Sequence, residues 1–222
     1  MSEVAAIVLC GGESRRMGRP KADLLFGTET LLARVTRLLS AVARPVVLAA
    51  APDQVLPPTP TSVLLVRDLE RGRGPLQGFA TGLTAVPPAI EFVYLAAVDS
   101  PFFEPAWMDL LLSRIGDHDA AMPLVAGRPN PVAALYRVTP TRVAVESLLA
   151  QDVRRLTALS TALRRREVPE VDLRAVDADL RTLANLNTPE DYRRALEGLD
   201  ERSEEGPRRP VSGPNPRSPR SL

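Results

Sequence analysis

The chain has 222 residues, 45% of them hydrophobic and 25% charged, with a formal net charge of +1. That length suits one domain with a buried core, and the near-neutral balance argues against a nucleic-acid binder, which needs a concentrated basic excess. One cysteine (Cys10) and one histidine rule out an internal disulfide and a zinc site of the usual Cys/His kind, so a reducing, cytoplasmic setting is expected.

The apolar run Val4 to Cys10 follows a start with no basic residues, which does not read as a signal peptide, and it is far shorter than the about 20 apolar residues that span a bilayer. No membrane partner is expected. Ended by two glycines, the run reads as a strand buried on both faces. After a loop, Leu31, Leu32, Val35, Leu38, Leu39 and Val42 recur at helical spacing, with Thr28 or Thr30 as the cap. Strands are predicted at Val46 to Ala49, Val63 to Val66 and Phe92 to Val98. Helices are predicted from Pro75 to Val86 and from Glu104 to Ile115. Ala120 to Pro123 and Val132 to Tyr136 read as strands, Thr139 to Ala150 and Arg154 to Leu163 as helices, and Arg166 to Val168 as a short late strand. Pro189 to Leu199 forms a last helix with proline at its first position.

This alternation predicts an α/β protein with three layers, a mostly parallel Rossmann-like sheet covered by helices on both faces. The domain is expected to occupy residues 1–199. From Asp200 the composition turns to Pro, Arg, Ser, Gly and Glu with few apolar residues, and 200–222 read as a disordered tail. In such sheets ligands bind beyond the carboxyl ends of the strands. Gly11 and Gly12 follow the first strand, Asp68 the third and Asp99 the fourth, so all are expected to open onto one crevice.

Glycines without a Cβ let the backbone turn sharply and approach a ligand, and successive N–H groups in such a turn bind anions. Arg15, Arg16, Arg19 and Lys21 add positive charge within the same stretch, which points to a polyphosphate. A bare Gly-Gly pair would equally suit a tight turn. Neither a Walker A loop nor a dinucleotide fingerprint fits, because Lys21 is followed by Ala22 and the glycines are adjacent. Asp99 ends an apolar strand, where a carboxylate either coordinates Mg²⁺ or caps the next helix. Cys10 reads as a small buried residue, His118 as a surface residue, Trp107 as packing, and the Arg154-Arg155 and Arg164 to Arg166 runs as solvated faces.

The segment from Leu9 through Cys10, Gly11, Gly12, Ser14, Arg16, Met17, Gly18 and Lys21 to Ala22 resembles the signature of nucleotidyltransferases with a Rossmann-like, nucleotide-diphospho-sugar-transferase-like sheet. It is most similar to that of the molybdenum cofactor guanylyltransferases and molybdopterin cytidylyltransferases. Cys10 stands where that family usually has alanine. Val98-Asp99-Ser100-Pro101-Phe102 resembles the family's metal-binding segment. Asp68 with Gly74-Pro75-Leu76-Gln77-Gly78 resembles the guanylyltransferase branch, and Asn185-Leu186-Asn187-Thr188-Pro189-Glu190-Asp191 resembles a late family motif. Two positions depart. Ala49 replaces a frequent Asn, so a side-chain contact there is missing or replaced. Asn130-Pro131 replaces a frequent His-Pro, and Asn130 can orient substrate but cannot titrate.

The resemblance, which covers about residues 4–199, implies transfer of GMP from GTP to the phosphate of molybdopterin. It implies Lys21, Arg15 and Asp99 as catalytic residues and Asp99 as the Mg²⁺ ligand. It assigns Leu9, Cys10, Gly11, Gly12, Lys21, Asp68 and Asp99 to the nucleotide, and Asn130, Asn185 and Asn187 to the second substrate. The partners it implies are GTP, molybdopterin and, transiently, molybdenum cofactor biosynthesis proteins and acceptor molybdoenzymes. A cytidylyltransferase using CTP, a sugar-phosphate nucleotidyltransferase and a non-catalytic nucleotide-binding adaptor are the alternatives.

Overall fold

The structure, a computed structural model, describes residues 3–11 and 20–204, the stretch 200–204 by its backbone alone. In chain order the elements are β1 (Val4–Leu9), a 3-10 turn (Lys21–Asp23), β2 (Leu25–Phe26), β3 (Glu29–Thr30), α1 (Leu31–Ser40), β4 (Val46–Ala50), β5 (Val63–Arg67) and α2 (Pro75–Thr84). There follow β6 (Phe92–Ala97), α3 (Pro105–Ile115), β7 (Ala120–Val125), β8 (Arg128–Pro129), β9 (Ala134–Arg137), α4 (Val138–Ala150) and α5 (Leu159–Ala162). The chain continues through β10 (Arg165–Pro169) and α6 (Glu170–Val176) to α7 (Pro189–Glu204).

The main sheet has 8 strands in the order β10-β7-β9-β6-β1-β4-β5, with β8 paired to β7. β1 lies between β4 and β6 and is parallel to both, while β9 runs antiparallel to β6 and β7. The expected α/β sandwich is therefore present, with one reversed strand inside it.

The apolar runs are continuous because both sheet faces are covered. Val4, Ala6, Val8 and Cys10 point into the core beneath α1 and α3, whereas Ala5, Ile7 and Leu9 point into the core beneath α2 and α4. This is the period-two alternation of a strand read twice. A Cβ on Gly82 would come within 2.5 Å of Ile7 Cγ2, so the glycine lets α2 lie tightly on β1. The β5 edge is less covered, leaving Leu64 and Leu65 exposed.

Several elements differ from expectation. The loop after β1 contains a small hairpin, β2–β3, that turns at Gly27, where φ is +68°. Thr30, not Thr28, caps α1 by accepting the Ala33 N–H at 3.1 Å. The stretch 154–163 is not one helix. Its start is drawn out because the Arg154 carbonyl accepts the Leu76 N–H, and only a 3-10 turn and the short α5 follow. α6 was not anticipated. α7 passes the expected boundary at 199 and reaches Glu204, and 205–222 lie outside the described residues.

The hairpin has its own small core. Leu24, Phe26, Leu31 and Leu186 are buried together, with Phe102, Tyr192, Leu196 and Leu199 packed around them. The Phe26 and Phe102 rings meet edge to face at 5.5 Å, and the Tyr192 hydroxyl donates to the Leu25 carbonyl. Thr188 and Asp191 cap α7 reciprocally, the Asp191 N–H reaching Thr188 Oγ1 at 3.1 Å and the Thr188 N–H reaching Asp191 Oδ2 at 2.9 Å. This cluster ties the segment after the glycine loop to the segment before the last helix. Trp107 is fully buried and its indole donates to the Ala133 carbonyl, whereas His118 is half-buried, not freely exposed.

Candidate functional site

The carboxyl ends of β1, β4, β5 and β6 carry the residues singled out from sequence. β1 ends in Leu9 and Cys10, both buried. The Leu9 carbonyl accepts the Val98 N–H, and the Cys10 N–H donates to the Ala49 carbonyl, so the strand is clamped from both sides to its last residue. Burial pushes the Cys10 thiol up to about 12, so it stays protonated at neutral pH and is no nucleophile. Gly11 is exposed, and no described residue lies within 4 Å of where its Cβ would be. Gly12 and Arg15 fall outside the described residues.

On the β6 flank the chain resumes at Pro20, and the 3-10 turn carries Lys21 and is anchored by the buried Ala22. Lys21 Nζ lies 2.5 Å from Asp99 Oδ2 and donates to Asn187 Oδ1 at 2.8 Å. Both charged side chains are largely shielded, at 17% and 14% exposure. Asp99 itself is held by backbone, since its carbonyl accepts the Leu186 N–H at 2.9 Å. The neighbouring Ser100 hydroxyl donates to Asn185 Oδ1 at 2.6 Å. Arg34, on α1, donates to the Pro101 carbonyl at 2.8 Å and also reaches Glu29. Two segments far apart in sequence thus converge on the ammonium group of a third.

The other flank is different. Asp68 stands just past β5, its N–H on the Ala50 carbonyl, and its Oδ1 accepts the Thr81 hydroxyl at 2.6 Å. Among the described residues no cation pairs with it. Gly78 leaves room here, because a Cβ would come within 3.2 Å of Leu9 Cδ2 and 4.0 Å of Asp68 Oδ2. Ala49 is buried inside β4, so it presents nothing to a ligand. Past the strand end, Gln54 donates from Nε2 to the Cys10 carbonyl at 2.8 Å.

Asn130 lies apart from both groups. Its N–H donates to the Pro123 carbonyl and its Oδ1 accepts the Val132 N–H at 3.0 Å, so its oxygen shapes the turn before β9 and the NH₂ end is left for a ligand. This turn sits at the carboxyl end of β6, because the Ala133 N–H bonds to the Leu95 carbonyl. Gln54, Thr81, Ser100 and Arg34 were not singled out from sequence. Gln54 and Ser100 follow strand ends, a signal that was available; Thr81 and Arg34 carried none.

Among the described residues no group of three His, Cys, Asp or Glu side chains could cage a metal. A single carboxylate beside a crevice suits a cation that takes its remaining ligands from phosphates and water, as Mg²⁺ does. Asp99 fits that description.

The chain matches the model of the MobA-like NTP transferase domain over residues 6–168. It belongs to the MobA-like NTP transferase family. A probable molybdenum cofactor guanylyltransferase of Mycobacterium avium is 37% identical over 195 residues, 86% of this chain and 94% of that one. A probable molybdenum cofactor guanylyltransferase of Mycobacterium tuberculosis is 38% identical over 189 residues, covering 83% and 89%. Molybdopterin-guanine dinucleotide biosynthesis protein A from Archaeoglobus fulgidus superposes with a TM-score of 0.72 at 23% identity, covering 89% of this chain and 99% of that chain. The 2-C-methyl-D-erythritol 4-phosphate cytidylyltransferase of Thermus thermophilus superposes with a TM-score of 0.66 at 19% identity, covering 90% and 100%. The fold of this MobA-like protein is thus the nucleotide-diphospho-sugar transferase fold, and its class is nucleotidyltransferase. No helix among the described residues is long and apolar enough to cross a membrane.

Proposed function

We infer that the protein transfers GMP from GTP to the phosphate of molybdopterin, forming molybdopterin guanine dinucleotide and releasing pyrophosphate. The observation that carries this reading is the Lys21 ammonium held 2.5 Å from Asp99 and 2.8 Å from Asn187, at the carboxyl end of β6 beside the glycine loop. The activity in the names of the Mycobacterium relatives supports it. In the reaction an oxygen of the acceptor phosphate attacks the α-phosphorus of GTP, and the bond to the β-phosphate breaks. The acceptor is already ionised at neutral pH, so no strong general base is needed, and catalysis rests on positioning and electrostatics.

Each residue has a role in this scheme. Asp99 would hold Mg²⁺, which when bound neutralises charge on the phosphates around the α-phosphorus. Lys21 would exchange its carboxylate partner for the triphosphate and offset the charge of the departing pyrophosphate, a role that Arg15 would share. Leu9, Cys10, Gly11 and Gly12 would offer backbone groups to the nucleotide. Asp68, with no cation partner among the described residues, would repel phosphate and suit the N–H and O–H donors of the nucleoside. Asn185, Asn187 and Asn130 would orient the pterin substrate. Passing the product on would bring transient contacts with molybdenum cofactor biosynthesis proteins and acceptor molybdoenzymes, in the cytoplasm.

The test is pyrophosphate release with molybdopterin and either Mg-GTP or Mg-CTP. Faster turnover with GTP is expected, and faster turnover with CTP overturns the guanylyl assignment. Turnover with sugar 1-phosphates in place of molybdopterin overturns the acceptor. Nucleotide binding without turnover on any acceptor means a non-catalytic module.

A further inference from the structure

We propose that Gln54 is a positioning residue of the glycine loop, fixing the orientation of the Cys10–Gly11 peptide so that the Gly11 N–H faces the phosphates. The inference rests on reading this crevice as a nucleotide site, and it concerns a residue outside the sequence motifs. Gln54 lies past the end of β4, and its side chain is engaged at both ends. Nε2 donates to the Cys10 carbonyl at 2.8 Å, and Oε1 accepts the Ala51 N–H at 3.2 Å.

The turn that carries Gln54 is itself held. Its N–H returns to the Ala51 carbonyl at 3.2 Å. The Arg67 guanidinium donates to the carbonyls of Ala51 at 3.0 Å and of Gln54 at 2.9 Å. Gln54 therefore reaches Cys10 from a fixed platform on the β4–β5 side.

The consequence follows from peptide geometry. The Cys10 carbonyl and the Gly11 N–H belong to one planar unit, and in a trans peptide they point in opposite directions. Holding the carbonyl toward Gln54 turns the N–H away from β4. β6 flanks β1 on that opposite side, and there Lys21 and Asp99 stand.

Among the described residues no other hydrogen bond holds this peptide. β1 ends at Leu9, and the last clamp on its backbone is the Cys10 N–H. Gly11 has open space where a side chain would pack, and glycine accepts either sign of φ. Without the Gln54 amide the peptide is free to rotate, and the first anion-binding donor of the loop loses its aim.

The experiment titrates inorganic tripolyphosphate into the full chain and into Gln54→Met and Gln54→Glu, with KM for GTP and kcat measured alongside. Tripolyphosphate reads the anion donors whatever the base or acceptor, so this result stands apart from the guanylyl assignment. Losing one charge-assisted hydrogen bond should weaken tripolyphosphate binding and raise KM for GTP by about 10-fold in both variants. The change in kcat should be smaller. Gln54→Glu keeps the oxygen for Ala51 and loses the donor to Cys10. If Gln54 only stapled its own turn, Gln54→Glu would bind tripolyphosphate as the parent does, and that result overturns the proposal. So does unchanged binding in Gln54→Met, or a parent chain that does not bind tripolyphosphate. Should Gln54→Met fail to fold, Gln54→Glu decides at high ionic strength, where the repulsion brought by its added charge is screened.

Discussion

On the β6 flank of β1, a cation sits between a carboxylate and an amide oxygen, each from a different segment. On the β4–β5 flank, a carboxylate sits against a hydroxyl with no cation among the described residues. The first arrangement can exchange its partners for anions and a metal, because each charge there already has an opposite one to leave. The second offers a carboxylate that accepts hydrogen bonds and repels phosphate. On the proposed reading, one strand end divides a nucleotide into two parts: phosphates and metal on one side, nucleoside on the other. The difference also shows in the scaffolding. The Lys21 side depends on a late segment and a separate small core, whereas Asp68 is held by β4 and α2, elements close to it in sequence.

Substitutions on each flank should break this division in different ways. Asp99→Ala should have the largest effect, lowering kcat for pyrophosphate release by about 10²–10³-fold. Its melting temperature should stay close to the parent's, since the Asp99 backbone and not its carboxylate joins the Leu186 segment. Near-normal kcat would remove Asp99 from the metal role. Lys21→Met should cost roughly 10²-fold in kcat/KM, because a charge-assisted contact to the departing pyrophosphate would be lost. Asp68→Asn should act elsewhere, raising KM for GTP by about 10-fold with little change in kcat, the mark of a contact made equally in ground and transition states. Asn187→Ala removes one of two groups holding the Lys21 ammonium. A loss of about 3–10-fold in kcat/KM is expected for a single neutral acceptor, and an unchanged value would mean that Asp99 positions Lys21 alone.

The smallest effect concerns stability. Burial raises the Cys10 thiol from 9.0 to about 12. Between those values the unfolded chain releases this proton and the folded chain keeps it, so unfolding becomes easier as pH rises. The slope is about 1.4 kcal/mol per pH unit for one such group. Below the unfolded value the term is constant. The free energy of denaturant unfolding from pH 9 to 11 should fall more steeply in the parent than in Cys10→Ala by about this slope, since burial of the Tyr94 and Tyr136 hydroxyls contributes equally to both.

The sheet was legible because its strands are buried on both faces, and that burial writes uninterrupted apolar runs such as 4–10 and 92–98 into the sequence. The ligand end followed from the rule that such sheets bind beyond their carboxyl edges, which brought Lys21, Asp68 and Asp99 into view. Hydrogen-bond partners were not legible. Thr81 holds Asp68 from a helix 13 residues downstream and Asn187 reaches Lys21 across 166 residues, and no local pattern encodes such pairings. The hairpin β2–β3 escaped because its strands are two residues each, too short to show alternation. The stretch 154–163 misled for the opposite reason. Its apolar spacing suits a helix, but the tie between the Arg154 carbonyl and Leu76 overrides local propensity. At Ala49 the sequence signalled a lost polar group. Only the fold reveals that Gln54 brings one to the neighbouring strand end.

The division of the crevice is tested most directly by titrating inorganic tripolyphosphate, in the absence of any nucleoside, into the parent, Lys21→Met and Asp68→Asn. On this division Lys21→Met should weaken binding by about 10-fold or more, and Asp68→Asn should bind as tightly as the parent or more tightly, since a repelling charge is gone. Equal weakening in both variants would contradict it, because the two flanks would then be handling the same part of the nucleotide.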